Sequence, residues 1–409
     1  MQCSLQEIFD RHFESYAQGH ALHARERHAA WCIRYCHRAE MGSHVLACPV
    51  GHHSQVQYHA CRHRSCPRCA VQARQQWLST QLQRLLPCPH FHVIFTLPHE
   101  LIALWQFNRA WFNKLLFDGA RESLLQLCAD PRHLGATPGL LMALHTWGRT
   151  LSRHPHVHCL VSAGGLDAQQ QWHATRPGFL VPVLALQRLF RGKLLAQLQQ
   201  ALQAQQLQLQ LPPSHDAVYW QRVLNQQWRS HWNVQISEPY AHGRGVALYL
   251  ARYVKGGPLG SRNTFDLTGS TVRLPYVDHR DGQHKVLALH VHEFISRVLC
   301  HAPPRGQHTV RQAGLYATAL RVQHARCRAL LTPAAPPLPL QPLACHHLQP
   351  TTIAPPACPQ CRLPLLRQLV FPRTHQLGEV SIPRLPTPAR LCPTLRSSGH
   401  PRASPLAAA

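Results

Sequence analysis

The sequence predicts an α+β chain in which a compact, cysteine-rich and partly helical module precedes a larger mixed domain. Three observations carry this. Two runs rich in β-branched and aromatic residues, HFHVIFTL (residues 90–97) and HVHCLVSA (156–163), read as strands, stopped by Pro98 and by Gly164-Gly165. Apolar residues at helical spacing fill 99–128, 139–152 and 186–211. Six of the 16 cysteines crowd into residues 32–69, beside His44, His52, His53, His59 and His63.

In chain order, Ser4-x-x-Glu7 forms a capping box for a first helix, with Ile8, Phe9, Phe13 and Tyr16 on one face. After the cysteine module, ARQQWLSTQLQRLL reads as a helix broken at Cys88-Pro89. Segment 186–211 is rich in Leu and Gln, and leucines at three- and four-residue steps make it a packed helix rather than a low-complexity run. A hairpin is expected over Val272–Leu289, turning at Asp281-Gly282. Past residue 330 the chain turns Pro-rich, as in LTPAAPPLPLQP, and the expectation is a largely disordered tail carrying one cysteine pair. The expected domains are 1–82, 88–320 and 321–409.

The 409 residues suffice for two or three domains at about 100–200 residues each. Lys and Arg number 42 against 17 Asp and Glu, a formal charge of +25. Only Lys114, Lys193, Lys255 and Lys285 are lysines, so the positive charge is nearly all guanidinium, a planar fork that fits phosphate. A polyanionic partner, nucleic acid, follows; an Arg-biased genome is the alternative source of the excess. This balance argues against an enzyme for small acidic substrates acting without such a partner. No run of about 18 uncharged apolar residues is present, so no membrane span is expected. The opening MQCSLQEIFDRHFESY has neither the basic flank nor the apolar centre of a secretory signal. Cysteines in such a chain are more often metal ligands or buried thiols than disulfides, and the expected location is cytoplasmic.

Cys48-x3-His52, Cys61 and Cys66-Pro-Arg-Cys69 give an array with zinc-ligand spacing, because a C-x-x-C turn sets two thiolates on one tetrahedral ion. Cys66 and Cys69 form one ligand pair and Cys48 and His52 the second, with Cys61 or Cys36 as replacements. The role of the Zn2+ is structural, since enough ligands exist to close the shell. Arg62, His63, Arg64 and Arg68 sit among the ligands, where they can meet DNA phosphates. A second pair, Cys358-Pro-Gln-Cys361, follows Cys345-His346-His347, and a second zinc there is an open alternative.

In HPHVHCLVSAGG, strand alternation puts His154, His156 and His158 on one face and Pro155, Val157, Cys159 and Val161 on the other. Two histidines at i and i+2 can hold one divalent cation with an edge left open; with 33 histidines in the chain, chance juxtaposition is the competing reading. Further on, HGRGVALYLARYVKGGPLG carries Tyr249 and Tyr253 at i and i+4, on one helical face, with Arg252 and Lys255 beside them. Such a stripe is ordinarily buried aromatic packing. Beside a metal-polarised phosphodiester, a phenol can instead attack phosphorus and hold the DNA end as a phosphotyrosine.

Five segments in this order, CRHRSCPRC, FHVIFTLPHEL, HTWGRTLSRHPHVHCLVSAGG, YLARYVKGGPL and HEFISRVLCHAPPRGQHTVRQAGL, resemble the two-tyrosine, His-x-His (HUH) rolling-circle transposases of insertion sequence family ninety-one. The resemblance covers roughly residues 30–320. It implies a zinc-binding N-terminal domain followed by an HUH nuclease domain, an antiparallel sheet flanked by helices. It implies cleavage of single-stranded DNA at the ends of the protein's own element and transfer to target DNA, in a bacterial, nucleoid-associated setting. Carried over, His156 and His158 bind the catalytic Mg2+ or Mn2+, and Tyr249 and Tyr253 are the nucleophiles. Where many relatives have C-x-x-C-G, this chain has Cys48-Pro-Val-Gly-His52, which leaves the fourth zinc ligand open. The third catalytic ligand is likewise open among His154, His145 and His242.

Two other classes compete. A three-carboxylate nuclease that uses water needs an acidic cluster, and the thinly scattered acidic residues provide none beside either strand. A zinc-dependent DNA-binding regulator or inactive relic needs the cysteines and arginines but has no use for the histidine strand.

Overall fold

A computed structural model describes residues 2–209, 215–240, 251, 256–260, 263–278, 281–304, 306–332 and 356–373. In chain order its regular elements begin with β1 (Gln2–Cys3), α1 (Leu5–Gln18), α2 (Ala24–Tyr35), β2 (Ser43–Ala47), β3 (Ser54–Tyr58) and α3 (Pro67–Arg84). Next come β4 (His90–Thr96), α4 (Ile102–Phe107), α5 (Arg109–Ala129), β5 (Thr137–Trp147), β6 (Arg153–Leu166), β7 (Trp172–Ala174), α6 (Val183–Gln203) and α7 (Ala217–Gln227). The last are β8 (Val234–Ile236), β9 (Phe265–Thr268), β10 (Thr271–Val277), β11 (His284–His290), α8 (Val291–Leu299), β12 (Val310–Gly314), α9 (Arg321–Leu331) and β13 (Leu366–Phe371). The result is α+β, with antiparallel sheets flanked by helices. No helix among the described residues is long and apolar enough to cross a membrane.

The chain divides into two compact units, the described residues of 1–36 with 60–351 and those of 37–59 with 352–409. The first is built on an antiparallel sheet ordered β12-β5-β6-β4-β8, with β7 paired to the end of β6. Alternation sorts its side chains. Phe91, Val93 and Phe95 of β4, Met142 and Leu144 of β5, and Val157, Cys159 and Val161 of β6 pack with Phe112 and Leu116 of α5 and Phe190 and Leu194 of α6. On the opposite face Leu141, Ala143 and Leu160 pack with Leu86, Tyr316 and Cys327, and this face also carries the histidines.

A second core in the same unit joins Ile8, Phe9 and Phe13 of α1 to Phe265, Val272, Leu289, Phe294 and Ile295. The capping box forms as expected: the Ser4 amide donates to Glu7 Oε2 at 2.7 Å and the Glu7 amide to Ser4 Oγ at 3.3 Å. α1 thus shares its core with β9, β10, β11 and α8.

Two expected elements change. Segment 139–152 reads as helical in sequence, yet residues 137–147 form the strand β5. Leu, Met and Ala favour a helix intrinsically, but β5 lies between β12 and β6 and is buried on both faces, so no apolar/polar alternation marks it. The expected disordered tail contains α9, whose Cys327 is buried, and residues 356–373, where β13 pairs antiparallel with β2.

The smaller unit is a sheet ordered β13-β2-β3. Among its described residues, Leu46, Cys48, Cys358 and Leu365 form a buried apolar cluster, with Cys361 packed against it.

Candidate active site and metal centres

On the histidine face of the large sheet, β5 and β6 run antiparallel with His145 directly opposite His156. His158 follows two residues on, and alternation returns it to the same face. One ring nitrogen from each of His145, His156 and His158 lies within 4.8 Å of the other two. His145 and His158 are buried and His156 is half-buried. His154 is exposed on the same face with its ring centroid 5.0 Å from that of His156, but it is not part of the three-residue group.

His156 and His158 each have an orienting partner. His156 Nδ1 donates to the His154 carbonyl at 2.5 Å. His158 Nδ1 lies 2.8 Å from Nε2 of His92 on the neighbouring strand β4. Burial pushes the His156 and His92 imidazoles down to about 4 and holds His145 and His158 well below 6.5. All four are therefore neutral near pH 7, as imidazole must be to donate a lone pair to a cation. The donor set fits a divalent metal: three neutral nitrogens from a rigid strand pair, with no carboxylate in the group.

The cysteines form two groups rather than one array. Cys36, just past α2, meets Cys61, Cys66 and Cys69. Cys36 Sγ is 3.4 Å from Cys69 Sγ, and Cys61 Sγ is 3.5 Å from it. Thiolates bound to one tetrahedral zinc at about 2.3 Å stand roughly 3.8 Å apart, so this spacing matches a closed four-thiolate shell. The amides of Arg62 and His63 donate to Cys69 and Cys61 sulfurs at 3.3 and 3.4 Å. Hydrogen bonds from Cys36, Cys61 and Cys66 hold the Cys69 thiol well below its ordinary range. Cys66 caps α3 and Pro67 opens it, so two of the sulfurs sit at the positive end of a helix.

Cys48 and His52, placed by sequence with Cys61, Cys66 and Cys69, belong instead to the smaller unit, where they meet Cys358 and Cys361. The reason is topological: residues 37–59 are an insertion between Cys36 and Cys61.

Arg62 is exposed with φ +56°, whereas Arg64 is committed within the fold. The Arg64 Nε donates to the Gly256 carbonyl at 3.1 Å, its terminal nitrogen donates to Thr309 Oγ1, and burial lowers its pKa to about 10. Both arginines line a cleft of about 430 Å3 with His63, Cys69, Gln307 and His308. Tyr249, Tyr253, Arg252, Lys255 and His242 lie outside the described residues. Ala251 is helical and buried against Leu78 of α3.

Sequence reasoning does not single out His92. A signal is present, since His90-x-His92 on a strand repeats the pattern of His156-x-His158. Cys36 enters the sequence reading only as a substitute, 25 residues before Cys61.

Residues 8–97 match the family described as "Transposase zinc-binding domain" and residues 139–324 the family described as "Putative transposase". The chain is 38% identical over 336 residues to "Putative transposase y4qJ" of Sinorhizobium fredii, covering 81% of this chain and 84% of that one. It is 34% identical over 283 residues to the transposase for insertion sequence element IS801 of Pseudomonas savastanoi pv. phaseolicola, covering 68% of this chain and 65% of that one. No solved structure matches it. With its zinc-binding module, its four-cysteine cluster and these relatives together, the chain belongs to the transposases of insertion sequence family ninety-one.

Proposed function

We propose that this transposase cuts single-stranded DNA at the ends of its own element and joins it to target DNA through a 5′-phosphotyrosine, using an HUH-type site. The observation that carries the reading is the convergence of His145, His156 and His158 on one sheet face. These three would hold a divalent cation, and a nitrogen-only donor set favours Mn2+ over Mg2+, which prefers oxygen. When bound, the cation supplies Lewis-acid stabilisation of charge on the phosphate oxygens. Tyr249 or Tyr253 attacks phosphorus: the phenol oxygen forms the new P–O bond, its proton is lost, and the bond to the 3′ oxygen breaks to leave a 3′-OH. The second tyrosine permits a second cleavage while the first end is still held. Catalysis is assigned to residues 88–320.

Zinc at Cys36, Cys61, Cys66 and Cys69 is assigned a structural role, holding Arg62 at the rim of the cleft for phosphate contact. Arg252 and Lys255 are assigned to the DNA near the tyrosines. The strongly basic chain favours the bacterial nucleoid as its place of action.

The test is cleavage of single-stranded oligonucleotides bearing the element's ends, with Mn2+, run on denaturing protein gels beside Tyr249→Phe/Tyr253→Phe. A protease-sensitive labelled adduct absent from the double variant is expected. Metal-dependent cleavage without an adduct makes water the nucleophile. Binding without cleavage under any metal leaves a DNA-binding protein only.

A further inference from the structure

We infer that the chain holds a second structural zinc, in a site of three cysteines and one histidine built by Cys48 and His52 from near the N-terminus and Cys358 and Cys361 from near the C-terminus. The four ligand atoms lie within 4.8 Å of one another. Cys48 Sγ is 3.4 Å from Cys361 Sγ and 4.0 Å from His52 Nδ1, spacings suited to a tetrahedral shell and too long for a disulfide.

The two ligand pairs sit on related turns, with the second ligand four residues on in one and three in the other. Each begins Cys-Pro. In each, the cysteine amide donates to the carbonyl five residues on: Cys48 to His53 and Cys358 to Leu363, both at 2.8 Å. Each turn also closes on the cysteine carbonyl, which accepts from the Gly51 amide at 2.9 Å in one and from the Arg362 amide at 2.9 Å in the other. Each passes through a left-handed residue, Gly51 at φ +86° and Arg362 at φ +60°. A left-handed arginine is an uncommon conformation, and here it stands four residues after its cysteine, one place later than the glycine in the other turn. Two such turns that bring their ligands to one point build a zinc-ribbon site.

Energetics point the same way. The described residues of the unit come from two segments far apart in sequence, and among them the buried apolar cluster is Leu46, Cys48, Cys358 and Leu365. Two of those four are proposed ligands, so hydrophobic burial alone is small against the entropy of joining the segments. Here the zinc would pin β13 beside β2.

The test is zinc content of the full-length chain by inductively coupled plasma mass spectrometry after exhaustive dialysis. Two zinc per chain are expected in the wild type and one in Cys358→Ser/Cys361→Ser. His52→Cys, which makes all four ligands thiolates, is expected to keep two. In cobalt-substituted protein it should shift the visible d–d bands, a readout that a merely packed cysteine would not move. Equal zinc in the wild type and the Cys358→Ser/Cys361→Ser variant overturns the proposal, as does His52→Cys with unaltered cobalt bands.

Discussion

His92 Nε2 lies 2.8 Å from His158 Nδ1 across the β4–β6 pair, and both rings are buried. For His158 to offer Nε2 to a cation, its Nδ1 must carry the proton and donate to His92. That bond fixes both tautomer and ring angle, as partners behind metal-bound histidines generally do. His92→Ala is expected to weaken Mn2+ binding by roughly 10–100-fold, with His92→Gln, whose amide oxygen can accept the same proton, restoring most of it. Calorimetric titration of Mn2+ into the three proteins checks this. Wild-type affinity in His92→Ala would mean that packing alone orients His158.

His145 is expected to matter as much as the two histidines of the strand motif. It stands directly opposite His156, with ring centroids 5.2 Å apart and 4.1 Å from His158. Replacing it with Ala leaves a two-nitrogen site, and metal-dependent cleavage is expected to fall by about 100-fold or more, while binding to single-stranded DNA is unchanged. Paired cleavage and anisotropy measurements separate the two. Loss of binding in step with cleavage would move His145 from the metal to the fold.

How far the site was legible follows from these residues. His156 and His158 could be set on one face because side chains alternate along a strand, and their apolar neighbours Val157 and Cys159 face the core as alternation requires. His145 could not be placed, because its strand is buried on both faces and its Leu, Met and Ala composition mimics a helix. The zinc ligands were legible only in part: Cys61, Cys66 and Cys69 do converge, but Cys48 and His52 do not join them. Spacing arguments assume that neighbours in sequence share an ion, and here an inserted unit interleaves two sets, giving Cys36 to one and Cys48 and His52 to the other. Arg64 looked like a DNA contact by composition, yet its guanidinium ties Gly256 to Thr309.

Acid is expected to destabilise the fold through histidines away from the metal group. His301 Nε2 donates to the Leu151 carbonyl at 3.0 Å and its Nδ1 accepts from Thr146 at 3.1 Å, an arrangement that holds only for the neutral ring. His90 is similarly placed, 2.6 Å from the Tyr316 hydroxyl and 2.8 Å from the Cys88 carbonyl. Burial lowers both to about 4. Unfolded, each titrates near 6.5, so between these values the unfolded chain binds the extra proton. Stability is full above about 6.5 and falls as pH drops toward 4, by about 1.4 kcal/mol per unit for each ring. Thermal melts at pH 7, 6 and 5 should show this, with a shallower fall in His301→Gln. Parallel slopes in the two proteins would remove His301 from the account.

Zinc removal is expected to open the four-cysteine module before the large sheet. Structural zinc contributes an apparent 10–16 kcal/mol in small modules, comparable with the roughly 5–15 kcal/mol that holds a whole domain together. A strong chelator should therefore expose residues 60–70 to protease while β4–β6 stay protected, and added zinc should reverse it. Uniform proteolysis along the chain would show that the cluster has no local folding role.

The N-terminal helix supplies the last test, because it decides whether residues 1–82 behave as a separate domain. Phe9 is fully buried and packs in one core with Phe265, Phe294 and Ile295. Truncating a buried aromatic of this kind costs about 3–5 kcal/mol, through lost transfer energy and the cavity left behind. If the core is continuous, the loss in Phe9→Ala spreads to everything that lines it. Amide exchange should then quicken both in residues 5–35 and in residues 265–302, with β4, β5 and β6 unaffected because they rest on a different cluster. Faster exchange confined to residues 5–35 would instead give the N-terminal segment a stability of its own and support a boundary near residue 82.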